Sequence, residues 1–254
     1  GSTMATRLVG EGHEVVVLDD LSTGTLENLA DAEGPALTFH EGSILDRELV
    51  SSLAADADRV VHLAAAVGVH NIVENPLGSL KTNLVGTENV LDACVEHGKK
   101  VLVASTSEIY GKNDIDGLTE DSDRIYGSPI KSRWSYAEAK ALDELLAFVY
   151  ATTKDLPAVI VRPFNTVGPR QTGRYGMVLP RFVDQALAGQ PVTVYGDGSQ
   201  SRCFLHVDDQ VEAIARLAVE TGLAGLIATN TTVAREGLTA DRAAVAAAGA
   251  GGLS

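Results

Sequence analysis

The chain has 254 residues, 45% of them hydrophobic and 21% charged, with a formal net charge of −14. That composition supports a sizeable core and allows one large α/β domain or two smaller ones. The acidic balance argues against nucleic acid or an anionic membrane as main partner, so an anionic ligand would need arginines gathered locally.

In chain order, the first strong signal is the apolar run at residues 15–18, a buried strand that closes on Asp19 and Asp20. Residues 59–64 (RVVHLA), 100–104 (KVLVA) and 158–161 (AVIV) read as three further strands. Helical stretches at 46–55, 76–97 and 135–152 separate them, and in the second Leu80, Leu84, Val90, Leu91 and Val95 fall roughly on one face. Strands alternating with helices of this length imply an α/β fold with a doubly wound, parallel, Rossmann-like sheet. From Thr231 onward Ala, Gly and Thr are in excess, as in a frayed tail. The two cysteines, Cys94 and Cys203, have no metal-ligand spacing and read as reduced thiols of a cytoplasmic protein. No apolar run reaches 18 residues, and no basic-then-apolar leader opens the sequence, so neither a membrane span nor a signal peptide is expected.

Two features carry chemistry. Asp19 ends a strand, where a carboxylate can accept from the ribose hydroxyls of NAD and repel a 2′-phosphate; a turn-forming aspartate would look the same. Tyr136 and Lys140 stand one helical turn apart in SYAEAK. An ammonium beside a phenol favours the phenolate, so Tyr136 could take a proton from a sugar hydroxyl as hydride leaves.

The setting of that pair is more specific. Ser105-Thr106-Ser107-Glu108-Ile109-Tyr110-Gly111 follows the strand KVLVA, and Arg162-Pro163-Phe164-Asn165-Thr166-Val167-Gly168-Pro169-Arg170 follows AVIV. With His62-Leu63-Ala64-Ala65, Asn83 in TNLVGTENVL, and VYGDGSQSRCF ending at Phe204, these segments resemble the extended short-chain dehydrogenases/reductases that modify nucleotide sugars. The first segment is similar to S-T-S-E-V-Y-G of UDP-glucuronate decarboxylases, while KSRWSYAEAK also occurs in UDP-sugar 4-epimerases. A 4,6-dehydratase usually has Asp where Ser107 stands.

The resemblance implies NAD as cofactor and a UDP-sugar as the most natural substrate. It implies Thr106, Glu108, Tyr136 and Lys140 as catalytic residues, with Tyr136 and Lys140 also touching the cofactor. Gly1, Asp19, Asp20, Ser43, Ile44, Leu63, Ala64, Ala65 and Pro163 would line the dinucleotide, although Ser43 replaces the usual Asp of Gly-Asp-Ile. Asn165, Arg174, Val194, Tyr195 and Arg202 would bind substrate, the arginines as charge-assisted partners of phosphate or a sugar acid. Gly1-Ser2 stands at the family spacing of the last glycine of G-x-x-G-x-x-G-S, or is a cloning scar; either way the family's first strand and its first two glycines are not in the sequence. The expected parts are then a NAD-binding domain at 1–162, a partial substrate region at 163–207 and a tail at 208–254. Within the tail, residues 224–238 and Gly251-Gly252-Leu253-Ser254 are similar to pieces of dihydroorotate dehydrogenase, in which Asn230 and Thr231 would contact orotate; a degenerate epimerase strand is the alternative. Family members usually dimerise through two helices, for which 76–97 and 135–152 are candidates. A non-catalytic nucleotide-binding fragment is the reading from another class.

Overall fold

A computed structural model describes residues 1–67, 75–171, 177–220 and 225–227 of the chain. Arg174, Asn230, Thr231 and the segment 251–254 lie outside the described residues.

The strands are β1 (Val15–Asp19), β2 (Leu37–Glu41), β3 (Arg59–His62), β4 (Lys100–Ala104), β5 (Ala158–Val161), β6 (Asn165–Val167), β7 (Phe204–His206) and β8 (Gly225–Ile227). The helices are α1 (Ser2–Gly10), α2 (Arg47–Asp56), α3 (Pro76–Glu96), α4 (Ser135–Lys154), α5 (Val178–Leu187) and α6 (Val207–Glu220). All recorded strand pairings are parallel. They form a ladder β3-β4-β5-β8, a pair β1-β2 and a small pair β6-β7.

β5 and, after Lys100, β4 are apolar because both their faces are covered. Val101, Val103 and Ile160 point to one face, where Val50 of α2, Leu91 of α3 and Ala147 of α4 close over them. Leu102, Val159 and Val161 point to the other, against Met4 of α1 and Val211 and Ile214 of α6. The side-chain period of two therefore builds two cores from one strand pair. α6 and β8, which begin the stretch set apart above as a tail, cover one face and extend one edge of this sheet.

Local sequence fixes the helix starts. Asp46 Oδ1 accepts from the Leu49 N–H at 3.1 Å, and Asn75 Oδ1 accepts from Gly78 N–H at 3.1 Å with Pro76 in the first turn of α3. Gly86 is dictated by a close approach: a Cβ there would stand 2.3 Å from Ile44 Cδ1. That contact seats the loop after β2 on α3, and Asn89 Nδ2 adds a 3.0 Å hydrogen bond to the Ile44 carbonyl.

Among the described residues no strand joins β1 to β3, so the sheet is divided there, as expected for a Rossmann-like sheet without its first strand. Beside the division two strand valines are open to solvent: Val16 is 52% and Val61 39% exposed. One expectation is corrected: the strand at 59–64 ends at His62, because Leu63 onward leaves the ladder. Val194 and Tyr195, expected to bind substrate, lie in an exposed irregular segment with no ladder partner among the described residues; Tyr195 accepts from Arg181 Nη1 at 3.1 Å.

Candidate active site

The C-terminal ends of β1, β3, β4 and β5 carry most of the residues singled out in the sequence. In a parallel sheet that is the edge where loops and helix N-termini gather. Asp19 ends β1, and its carboxylate accepts from Leu21 N–H at 2.8 Å while remaining exposed; Asp20 does the same for Ser22 N–H at 3.0 Å. Leu63, Ala64 and Ala65 follow β3. Their loop is clamped by Asn83 of α3, whose Oδ1 accepts from Ala66 N–H at 2.7 Å and whose Nδ2 donates to the Ala66 carbonyl at 3.3 Å.

After β4 the chain turns on Thr106, whose hydroxyl accepts from Glu108 N–H at 3.2 Å and starts a short 3₁₀ turn at Ser107–Tyr110. The Ser107 N–H donates to the Pro163 carbonyl at 3.0 Å, which brings the loops after β4 and β5 together. Gly111 ends the turn at φ +66°, where a Cβ would meet the Ile125 carbonyl at 2.3 Å.

α4 packs on that turn and delivers Tyr136 to it. The Thr106 hydroxyl hydrogen-bonds the Tyr136 phenol, and Glu108 and Asp143 act on the same ring oxygen. Burial raises the Tyr136 phenol well above its ordinary value, the two carboxylates add to that, and Thr106 partly opposes it. Lys140, expected as the cation beside this phenol, is paired with Asp143 instead. Its ammonium is committed to Asp143 Oδ2 at 2.9 Å, both side chains being buried. Glu108 is raised by burial, with Arg133 opposing, so its carboxyl holds a proton more readily than a solvated one.

Behind the pair, Thr87 of α3 joins His62 of β3 through a 3.0 Å contact to Nε2. Burial first, and the Lys140 charge second, lower His62 to about 3, so it is neutral at physiological pH. Asp143 and Thr87 were not singled out as functional in the sequence, and His62 only as the start of the segment His62-Leu63-Ala64-Ala65. The legible signal was an acid three residues after Lys140, on its own helix face.

The substrate candidates are less gathered. Asn165 Nδ2 donates to the Cys203 carbonyl at 2.8 Å, joining β6 to the segment before β7, but its residue is exposed. Arg202 is exposed and donates to the neighbouring Ser201 carbonyl at 2.6 Å. Ser43 Oγ accepts from Leu45 N–H at 3.2 Å, and Ile44 is part of the core.

The residues present fit a dinucleotide. The Ser105 hydroxyl at the same sheet edge is buried without a hydrogen-bond partner, as expected where a ligand completes the site.

Comparison with known proteins agrees. The profile of the NAD dependent epimerase/dehydratase family matches residues 1–226. The chain is 44% identical over 216 residues to the UDP-N-acetyl-alpha-D-glucosaminuronate decarboxylase of Bacillus cytotoxicus, covering 84% of this chain and 66% of that one. It is 35% identical over 220 residues to UDP-glucuronic acid decarboxylase 1 of Xenopus tropicalis, covering 85% of this chain and 50% of the relative. The chain thus spans about half to two thirds of the length of these relatives. Among solved structures it superposes on UDP-glucuronic acid 4-epimerase from Bacillus cereus, in complex with UDP-glucuronic acid and NAD, with a TM-score of 0.79 at 30% identity, covering 90% of this chain and 73% of that one. The match over residues 1–226 and the parallel sheet shared with these solved structures place the chain in the NAD dependent epimerase/dehydratase family, to which it belongs.

Proposed function

We propose that the chain carries the cofactor-binding and catalytic part of a UDP-sugar-modifying enzyme that oxidises the sugar at C4 and then acts on the ketone, as a UDP-glucuronate decarboxylase does. The observation that carries this reading is the meeting of Tyr136 with the Thr106 hydroxyl, beside Glu108 and one helical turn from Lys140.

Gly1, Asp19, Ala64, Ala65, Pro163 and Lys140 would hold NAD, which when bound accepts hydride from the sugar and later returns it. Tyr136, ionised by loss of its own proton to solvent once Lys140 is re-aimed at it, would take the proton of the 4-hydroxyl, and Thr106 would turn its hydroxyl from the phenol to orient the sugar. Oxidation at C4 places a ketone β to the carboxylate at C5, so the electrons of the breaking C–C bond can pass into the carbonyl as CO₂ leaves. Glu108, whose carboxyl burial makes hold a proton more readily than a solvated one, is suited to move a proton at the adjoining carbons. Asn165 and Arg202 would meet the diphosphate or the sugar acid after rearrangement from their present exposed positions, and Arg174, Val194 and Tyr195 would join them.

Incubation with NAD and UDP-glucuronate, followed by mass spectrometry, tests the reading. A product lighter by CO₂ supports decarboxylation. A product of unchanged mass with inverted C4 supports the second reading, a UDP-sugar 4-epimerase, which the similarity of KSRWSYAEAK to epimerases favours. UDP binding without NAD binding or turnover would make the chain a nucleotide-binding module. Tyr136→Phe should lower turnover by about 10²–10⁴-fold; turnover at the wild-type rate would remove Tyr136 from its role.

A homodimer belongs to the same proposal. Leu142, Leu145, Phe148 and Val149 form an exposed apolar stripe on α4, and Leu77 and Val85 are exposed on α3. Two such helix pairs could pack as a four-helix bundle. A cytoplasmic setting fits the free thiols of Cys94 and Cys203.

A further inference from the structure

Lys140 and Asp143 are only 2% and 0% exposed, and they form an ion pair enclosed by α4, β3, α3 and the turn after β4. On α4 the neighbours are Tyr136, one turn before Lys140, and Glu144, whose carboxylate is engaged by Arg162. β3 contributes His62, neutral and unable to balance a positive charge, and α3 contributes only the Thr87 hydroxyl. The turn after β4 contributes Glu108, which faces Tyr136. Asp143 is thus the carboxylate in direct contact with the ammonium. Asp143 Oδ1 completes no hydrogen bond of its own; Lys140 is the main hold on this acid, with the Thr87 hydroxyl a lesser one. An ammonium in such a place without a counter-charge favours its neutral form.

We propose that Asp143 is a positioning residue that keeps Lys140 a charged ammonium in this dry compartment, one helical turn from the Tyr136 phenol. The inference rests on the reading of Tyr136 and Lys140 given above and adds a residue to it. Lys140 has two possible partners on its own helix, Tyr136 before it and Asp143 after it. In the present arrangement Asp143 has it. The pair therefore stores the charge beside the phenol, ready to be re-aimed, while the ionised carboxylate is kept from isolation in the core.

The test is a titration of ¹⁵N-lysine-labelled protein, with the Lys140 side-chain signal assigned by its loss in Lys140→Met. In Asp143→Asn the Lys140 amine should lose its proton at a pH lower than in the wild type by about one unit or more, a tenfold or greater fall in proton affinity. Asp143→Glu should restore most of the difference. An unchanged Lys140 titration in Asp143→Asn overturns the proposal. Should Asp143→Asn fail to fold, the double variant Lys140→Met/Asp143→Asn decides: removing both charges should recover folding, and failure to recover it overturns the proposal. If the titration moves as expected while the wild type turns over no UDP-sugar, the functional reading fails and the role of Asp143 stands.

Discussion

His62 shows how one residue ties the site to stability. It closes β3 with its ring buried against Thr87 and near the Lys140 charge, and its pKa falls from 6.5 to about 3. The unfolded chain would protonate this imidazole near its ordinary value of about 6.5, whereas the folded chain resists until about 3. Between those values the unfolded state binds the extra proton, so the contribution is complete above about pH 6.5 and is lost as the pH falls toward 3. A single group can give a slope of at most about 1.4 kcal/mol per pH unit. Denaturant melts across this window should therefore show stability falling with acid, and His62→Gln should flatten the curve. Equal slopes for the two proteins would show that His62 is not the group responsible.

At the scale of elements, α4 serves three faces at once. One face carries Tyr136 and Lys140 to the turn after β4, and another buries Ala147 in the core. A third leaves Leu145 and Phe148 exposed at 55% and 61%. The charged substitutions Leu145→Glu and Phe148→Glu remove no core contact, so each should leave the melting temperature close to wild type while shifting a dimer toward monomer by light scattering. A mass unaffected by both would exclude this face as the interface. The helix is also anchored to β5 by a paired contact: Arg162 Nε and Nη2 donate to the two oxygens of Glu144 at 2.9 and 2.7 Å, and Nη1 donates to Tyr110 Oη at 3.0 Å. Removing one partner of a buried pair strands the other, so Arg162→Met should cost about 3–5 kcal/mol of stability in denaturant unfolding.

For the whole molecule, coverage of the sheet is uneven. β4 and β5 have ladder partners on both sides and packed cores on both faces. Among the described residues β1 pairs with β2 alone and β3 with β4 alone, and the valines Val16 and Val61 are open to solvent. Exchange of backbone amides reports such differences, since the least covered elements open at the lowest cost. Amides of β1 and β3 should exchange at least about tenfold faster than those of β4 and β5. A strand with a glycine turn fused ahead of Gly1 should slow them if it seats between β1 and β3. Uniform protection across all four strands would show that the division does not weaken the fold.

The sequence by itself determined the local and periodic features. The apolar runs of β1, β3, β4 and β5, the helices at α2, α3 and α4, and the i, i+4 placement of Tyr136 and Lys140 all follow from short-range pattern. It also carried the turn after β4, because Thr106 caps its own loop. The segment at β2 carried too little pattern to be read, and β6, β7 and β8 are three residues each, so only pairing with a neighbour makes them strands. Tertiary structure alone decided which partner Lys140 takes. Spacing allows both Tyr136 and Asp143, but a charge shut away from water goes to the carboxylate it can touch, and which carboxylate that is depends on how β3, α3 and α4 enclose it.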